Sequence, residues 1–321
     1  MLYFKNFVFN AEKSLPLLLT FTFYLLFRAT VKKTSGEFPC DTIHKYFFFE
    51  KEPLSLEEQA YPLSYGLVIY KDIVQVLLEL SIFYQPQNVY CITVDQGASK
   101  IYKKFVNNLP KCFNNIKTFY LSGTDLPLRT NLEMVRIMKA LNGSINTDVE
   151  QFEQDRYRIM EGIHPPVPLY KSAMSVAIPR RAANFMIRSK KVKKLLNYLS
   201  HTWIPDESFW TSVAGNAVCE DINRRLTSWS CVFGVMDMPE VVKRPELVAH
   251  KMYLDTEPAA FICLLKEIRR RSRHPVEFDA QSYAEMPTVE LSSGKRITEL
   301  THPEWLMRSS FYRPPPPLLP I

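Results

Sequence analysis

No two of the chain's six cysteines stand at C-x-x-C spacing. That removes the usual signature of a zinc knuckle or a thioredoxin-type redox pair. No G-x-G-x-x-G and no Walker sequence occurs, which disfavours a dinucleotide enzyme and a P-loop NTPase. Internal repeats are absent. A long apolar run is missing too: a bilayer span needs about 20 residues, and "LPLLLTFTFYLLF" at 15–27 has thirteen. Lys13 precedes that run and Arg28, Lys32 and Lys33 follow it, so charge does not orient it. A membrane anchor, a signal-like or interfacial segment and a buried helix all stay open.

What is present reads as a globular chain. Its 321 residues are 46% hydrophobic and 23% charged, enough for one large domain or two small ones. The formal net charge of +7 favours anionic partners such as phosphates, nucleotides, nucleic acid or membrane surfaces. Widely spaced cysteines at 40, 91, 112, 219, 231 and 263 suit either reduced thiols or lumenal disulfides. One glycosylation sequon, Asn142-Gly143-Ser144, fits a lumenal chain.

Periodicity sharpens after residue 60. Leu67 to Tyr70 and Val89 to Val94 read as buried strands, as does Thr118 to Leu121. Between them, Ile73, Val76, Leu77, Leu80 and Tyr84 repeat at helical steps behind a cap at Asp72, and Pro86 stops the helix. Ser99 is expected to cap another element, with Ile101 and Phe105 on its inner side. Strand, helix, strand, helix, strand implies a parallel sheet, and ligands gather at the carboxyl ends of such strands. Asp95 and Asp125 each follow a strand end, where turn caps are also common.

Downstream, Ala173 to Ile178 is a strand candidate. "KKVKKLLNYLS", 190–200, looks at first like a nucleic-acid patch. Val192, Leu195, Leu196 and Leu199 fall on one helical face, however, which leaves the lysines as the solvated back of an amphipathic helix. Nucleic acid is therefore not expected as a partner. Arg269 to Arg273 end a further helix, an ordinary place for cations. After about residue 275 periodicity fades, and "RPPPPLLPI" reads as polyproline II.

The stretch "TWIPDESFW", 202–210, raises a sharper question. Pro205 suits a helix start, and Asp206 and Glu207 then meet the exposed amides of the first turn. That account needs no catalysis. Sequence blocks along most of the chain argue for more. "EKEPLSLEEQAYPLSYGLVIY", "QPQNVYCITVD", "KCFNNI", "LSGTDLPLRTNLEMV", "TWIPDESFWTSV" and "SCVFGVMDMPEVVKRPELVAHKMYLDTEPAAFICLLKEIR" follow one another in order. This series resembles the core-2/I-branching β-1,6-N-acetylglucosaminyltransferases.

The resemblance implies an α/β, GT-A-like (Rossmann-like) fold. Its sheet would be mixed but mainly parallel, flanked by helices, with shortened elements. Three regions are expected: an apolar anchor or signal-like segment and stem at 1–40, a glycosyltransferase-like domain at 41–275, and an extension with a Pro-rich tail at 276–321. It implies a type II Golgi membrane protein with a lumenal catalytic domain. The reaction would move N-acetylglucosamine from UDP-GlcNAc to the 6-hydroxyl of an acceptor glycan, with inversion. The family's general base falls on Glu207, a carboxylate that can take the hydroxyl proton. Val68, Asp95 and Lys251 match donor-binding positions, with Lys251 near the diphosphate. Asp148 and Arg156 match acceptor-side positions. No Asp-x-Asp is present, and no metal or other cofactor is expected. Several cysteines would be bridged in an oxidising lumen.

Two departures go with the resemblance. The family carries a few dozen residues between the counterparts of "KCFNNI" and "LSGTD", including a tyrosine that helps hold the nucleotide. It also has a longer segment between Trp210 and Cys231, where a phosphate-binding arginine is replaced by Ser228. A catalytically inactive relative that binds carbohydrate or nucleotide is thus the alternative.

Overall fold

The computed structural model describes residues 40–119, 125–147, 150–152, 156, 164–171, 176–214, 237–244, 246–250 and 252–303. In chain order, the first elements are α1 (Cys40–Phe47), α2 (Leu56–Ala60), β1 (Ser64–Ile69), α3 (Ile73–Phe83), β2 (Val89–Val94), α4 (Lys100–Cys112) and β3 (Ile116–Phe119). Next come β4 (Asp125–Pro127), α5 (Asn131–Ala140), β5 (Glu150–Gln151), β6 (Tyr170–Lys171), α6 (Arg180–Arg188), α7 (Lys190–Leu199) and α8 (Asp206–Ala214). The chain closes with α9 (Met238–Val241), β7 (Val248–His250), α10 (Pro258–Arg273), α11 (Gln281–Ala284), α12 (Pro287–Ser292) and a 3₁₀ turn at Ile297–Glu299. Two compact units share these elements: 1–135 with 230–277, and 136–229 with 278–321.

The first unit is an α/β assembly around a parallel sheet in the order β1-β2-β3. Ser64–Ile69 pair with Val89–Val94, and Tyr90–Thr93 pair with Ile116–Phe119. Parallel neighbours need crossovers, which α3 and α4 supply. Alternation drives β2 into the core: Tyr90, Ile92 and Val94 are fully buried. Asp72 caps α3 as expected, accepting from the amides of Val74 and Gln75. Ser99 caps α4 by accepting from Tyr102 N. The inner side of α4 is Tyr102, Phe105, Val106 and Leu109, whereas Ile101 is exposed. The apolar stripe starts one residue later than the sequence reading put it. A separate antiparallel pair joins β4 to β7.

Polar side chains lock this unit internally. In "TNLE", Thr130 N donates to Glu133 Oε2 at 2.9 Å and Glu133 N to Thr130 Oγ1 at 3.2 Å, a reciprocal capping box. Glu133 is then gripped by Arg271 Nη1 at 3.0 and 3.1 Å, while Arg271 Nη2 donates to Leu128 O at 2.6 Å. Burial pulls the Arg271 guanidinium below its usual range, and the Glu133 charge opposes that. So Arg271, read from sequence as one of several ordinary helix-end cations, is a buried ion-pair partner. Asn131 Nδ2 donates to Glu58 Oε1 at 2.9 Å and Asn131 Oδ1 accepts from Asn88 Nδ2 at 2.7 Å. Gln75 ties α3 to the backbone just past position 251, and its Nε2 also donates to Glu79 Oε1 at 2.8 Å. Its Nε2 donates to Met252 O at 3.1 Å and its Oε1 accepts from Leu254 N at 3.0 Å. A disulfide joins Cys40 to Cys112, while Cys91 and Cys263 are exposed and take no part in it. Cys219 and Cys231 lie outside the described residues.

The second unit is mostly helical. Its cluster is Leu195, Tyr198 and Leu199 of α7 packed by Val167, Leu169, Phe209 and Val213. Ser189 caps α7, accepting from Val192 N. The lysines of α7 are exposed as expected, and so is Leu196 at 56%. The inner face is thus narrower than the four-residue stripe read from sequence. Strand β6 pairs with β5, and Ala177 bridges to Asn146. Of the strand expected at 173–178, positions 173–175 lie outside the described residues. Past residue 275, where periodicity fades, α11, α12 and the 3₁₀ turn form around buried Tyr283, Val289 and Leu300. Glu290 organises this end. Lys295 Nζ and Thr301 Oγ1 donate to its Oε1, and Thr301 N donates to its Oε2.

Among the described residues no helix is long and apolar enough to cross a membrane. The apolar run at 15–27 and the Pro-rich tail fall outside them.

Candidate functional site

Helix α8 is held in place before its charged end acquires any role. Ser208, Thr211 and Ser212 are fully buried. Ser212 Oγ accepts from Tyr170 N at 2.9 Å and donates to Tyr170 O at 3.4 Å, which pins the helix to β6. Phe209 and Val213 pack on the α7 cluster. The helix starts at Asp206, with Pro205 accepting from Ser208 N and Phe209 N. Proline therefore stands one residue ahead of the position read from sequence, a shift of the size that helix ends commonly show. Asp206 and Glu207 occupy the acidic first turn, so the electrostatic account of "PDE" holds.

The approach to this turn is strained. Ile204 has φ of +51°. A β-branched residue there is an outlier that costs on the order of 1–3 kcal/mol and clusters at functional sites. Two bonds to Leu199 O steady the chain just before it, donated by Thr202 N at 2.9 Å and Thr202 Oγ1 at 2.8 Å. Trp203 N then donates to Arg156 O at 3.0 Å.

That last bond seats Arg156 beside the turn. Arg156 Nη2 donates to Glu207 Oε2 at 2.7 Å, a charge-assisted contact. The arginine side chain is 8% exposed and the glutamate 27%. A shielded guanidinium thus fixes the direction of a carboxylate that still reaches solvent. Beside it, Ser208 Oγ is buried and has no hydrogen-bond partner among the described residues. Such an oriented, accessible carboxylate can accept a proton from a hydroxyl brought to it.

Two expected residues, Glu207 and Arg156, therefore meet, although they lie 51 positions apart. Asp148, the other acceptor-side expectation, is outside the described residues, as is Lys251. Val68 and Asp95 belong to the first unit. Val68 pairs with Thr93 in the sheet. Asp95 N donates to Ile69 O at 3.0 Å, and Asp95 Oδ1 accepts from Gly97 N at 2.6 Å. Both residues sit at the carboxyl edge of the parallel strands, and the Asp95 carboxylate also braces its own turn. Sequence reading missed the strain at Ile204 and the backbone bond to Arg156. No local signal announced that strain, since a proline pushes the residue before it toward extended backbone with negative φ. Among the described residues no group of three or more His, Cys, Asp or Glu side chains is placed to hold a metal.

Comparison with known proteins adds an independent line. The model of the Core-2/I-Branching enzyme family matches residues 114–253, which include both members of the ion pair. A human beta-1,3-galactosyl-O-glycosyl-glycoprotein beta-1,6-N-acetylglucosaminyltransferase is 24% identical over 323 aligned positions, covering 73% of this chain and 76% of that protein. A mouse N-acetyllactosaminide beta-1,6-N-acetylglucosaminyl-transferase is 26% identical over 313 positions, covering 71% and 78%. Each alignment is about as long as this whole chain yet takes in under three quarters of it. The relatives therefore carry stretches without a counterpart here.

Proposed function

The chain belongs to the core-2/I-branching enzyme family, and on that premise we propose that it branches glycans. It transfers N-acetylglucosamine from UDP-GlcNAc to the 6-hydroxyl of an acceptor sugar on a GT-A-like scaffold. The observation that carries this reading is the 2.7 Å contact between Arg156 and Glu207. Glu207 takes the proton of the acceptor hydroxyl as its oxygen bonds to the anomeric carbon. The bond from that carbon to the UDP phosphate breaks on the opposite side, so the centre inverts. Arg156 is a positioning residue that orients the carboxylate and faces the acceptor, with Asp148 as its companion on that side.

Charge on the departing diphosphate must be balanced. Lys251 supplies an ammonium for this, a point charge suited to phosphate, and no metal is required. Val68 and Asp95 flank the uridine end. Gln75 supports this assignment by tethering the backbone just past Lys251, at Met252 and Leu254. The Cys40–Cys112 bridge supports an oxidising lumen, and residues 15–27 would hold the enzyme at the Golgi membrane.

A second reading is favoured by the stretches that the relatives carry and this chain lacks. In it the protein binds nucleotide or glycan without transfer. The test is UDP release by the purified full chain from UDP-GlcNAc and a galactosyl-β-1,3-N-acetylgalactosamine acceptor, with chelator present. Glu207→Gln is expected to lower turnover by about 10²–10⁴-fold. Equal rates in the two proteins would sink the catalytic role. Thermal stabilisation by UDP or acceptor without any UDP release would establish the second reading.

A further inference from the structure

Residues 162–205 contain eight lysines and arginines and no acid. The formal net charge of the whole chain is +7, so acids and bases nearly cancel elsewhere. Seven of the eight cations lie on two consecutive helices: Arg180, Arg181 and Arg188 on α6, and Lys190, Lys191, Lys193 and Lys194 on α7. All seven are exposed. None makes a side-chain ion pair or hydrogen bond among the described residues.

These cations do more than solvate a helix back. Arg180, Arg181, Asn184, Phe185 and Arg188 line a shallow, open hollow of about 550 Å³ on α6. Their spacing puts them on one helical face. Three guanidiniums there offer planar forks that match carboxylate and sulfate oxygens. Phe185 adds a 62% exposed ring, an apolar platform among them. Charge, shape and ring together describe a surface for an acidic sugar chain.

A bilayer is the poorer fit. An interfacial helix needs a single apolar face. Phe185 and Ile187, 62% and 68% exposed, are two residues apart and so point to opposite flanks of α6. The position of the surface also favours a glycan. Helix α7 packs on α8, which carries Glu207.

We propose that the α6–α7 face is a docking surface for an acidic glycan bearing sulfate or carboxylate groups, gripped by Arg180, Arg181 and Arg188. This names the class of acceptor for the transferase, and in that role it rests on the function proposed above. The binding itself does not depend on transfer. The probe is a heparin octasaccharide titrated into the full chain at about 0.15 M ionic strength. The variant R180Q/R181Q/R188Q is expected to bind at least about tenfold more weakly. A control removes the same charge from the first unit, at exposed Lys51, Lys100 and Lys111. K51Q/K100Q/K111Q is expected to bind like wild type. Phe185→Ala, which keeps the charge, is expected to lose affinity as well.

Equal weakening in the two triple variants would reduce the effect to net charge and overturn the proposal. So would loss of binding to phosphatidylserine vesicles as large as the loss to heparin, which would make the face a membrane contact. Melting temperatures of all variants separate folding defects from lost contacts. If no acceptor supports UDP release while heparin binding still needs the three arginines, the transferase reading fails and the surface stands.

Discussion

The two units place the charged residues of their sequence motifs differently. In the first, the most recognisable motif letters are spent on the scaffold. Glu58 and Asn131 hydrogen-bond to each other, and Glu133 closes a capping box and meets Arg271 out of solvent. In the second, Arg156 and Glu290 are buried too, but charge at the candidate site and on the neighbouring helices reaches water: Glu207 is directed by Arg156 yet 27% exposed, and seven cations crowd α6 and α7. A motif that marks ancestry is therefore no guide to chemistry until its burial is known. The same residue type, glutamate, is structural at 133 and chemically available at 207.

Substitution should break this contrast most visibly at those two positions. Glu207→Gln is expected to lose turnover with a melting temperature close to wild type. Glu133→Ala leaves Arg271 buried without its carboxylate and is expected to cost about 3–5 kcal/mol in a denaturant titration. If Glu133→Ala were as stable as wild type, the division between scaffold and site would be wrong. Next comes the Cys40–Cys112 bridge, which closes a separation of 72 residues. Its removal in C40S/C112S is expected to cost about 4 kcal/mol by loop entropy, seen as a lower midpoint for the first unit.

The smallest effect is a pH dependence in the second unit. Hydrogen bonds from Lys295 and then Thr301 hold the Glu290 carboxyl at about 2, below the usual range near 4.3. Its folded value is depressed, so its contribution is present above the ordinary value and is lost as pH falls toward 2. Melts recorded across that window should show an acid-labile step that Glu290→Gln removes. A step unchanged by the substitution would assign the lability elsewhere.

Local order was largely legible in the sequence, because it is written in neighbouring residues. Strand β2 spans Val89–Val94 as its apolar run indicated, and the caps at Asp72 and Ser99 are in place. Periodicity says which residues share a face but not how wide the covering is, so Ile101 and Leu196 were read as inner and are exposed. Long-range polar pairing leaves no periodic trace at all. Arg271 sits in a run of arginines and looks like its neighbours until Glu133, 138 positions away, is found beside it. Likewise, both ends of the Arg156–Glu207 pair were picked out through family blocks, while their contact was not visible. Residues 281–301 fold around Glu290 rather than along an apolar stripe, which is why they resembled a fading tail.

Gln75 has a consequence of its own for the segment between β7 and α10. One planar group donates to Met252 O and accepts from Leu254 N, so helix α3 and the segment after β7 are tied at two points. Glutamate at that position would present only acceptors when ionised and would release the Met252 side while keeping the Leu254 side. That segment would then be fastened at one point instead of two, and a change of one nitrogen to one oxygen in a buried side chain would be felt where another part of the chain enters α10.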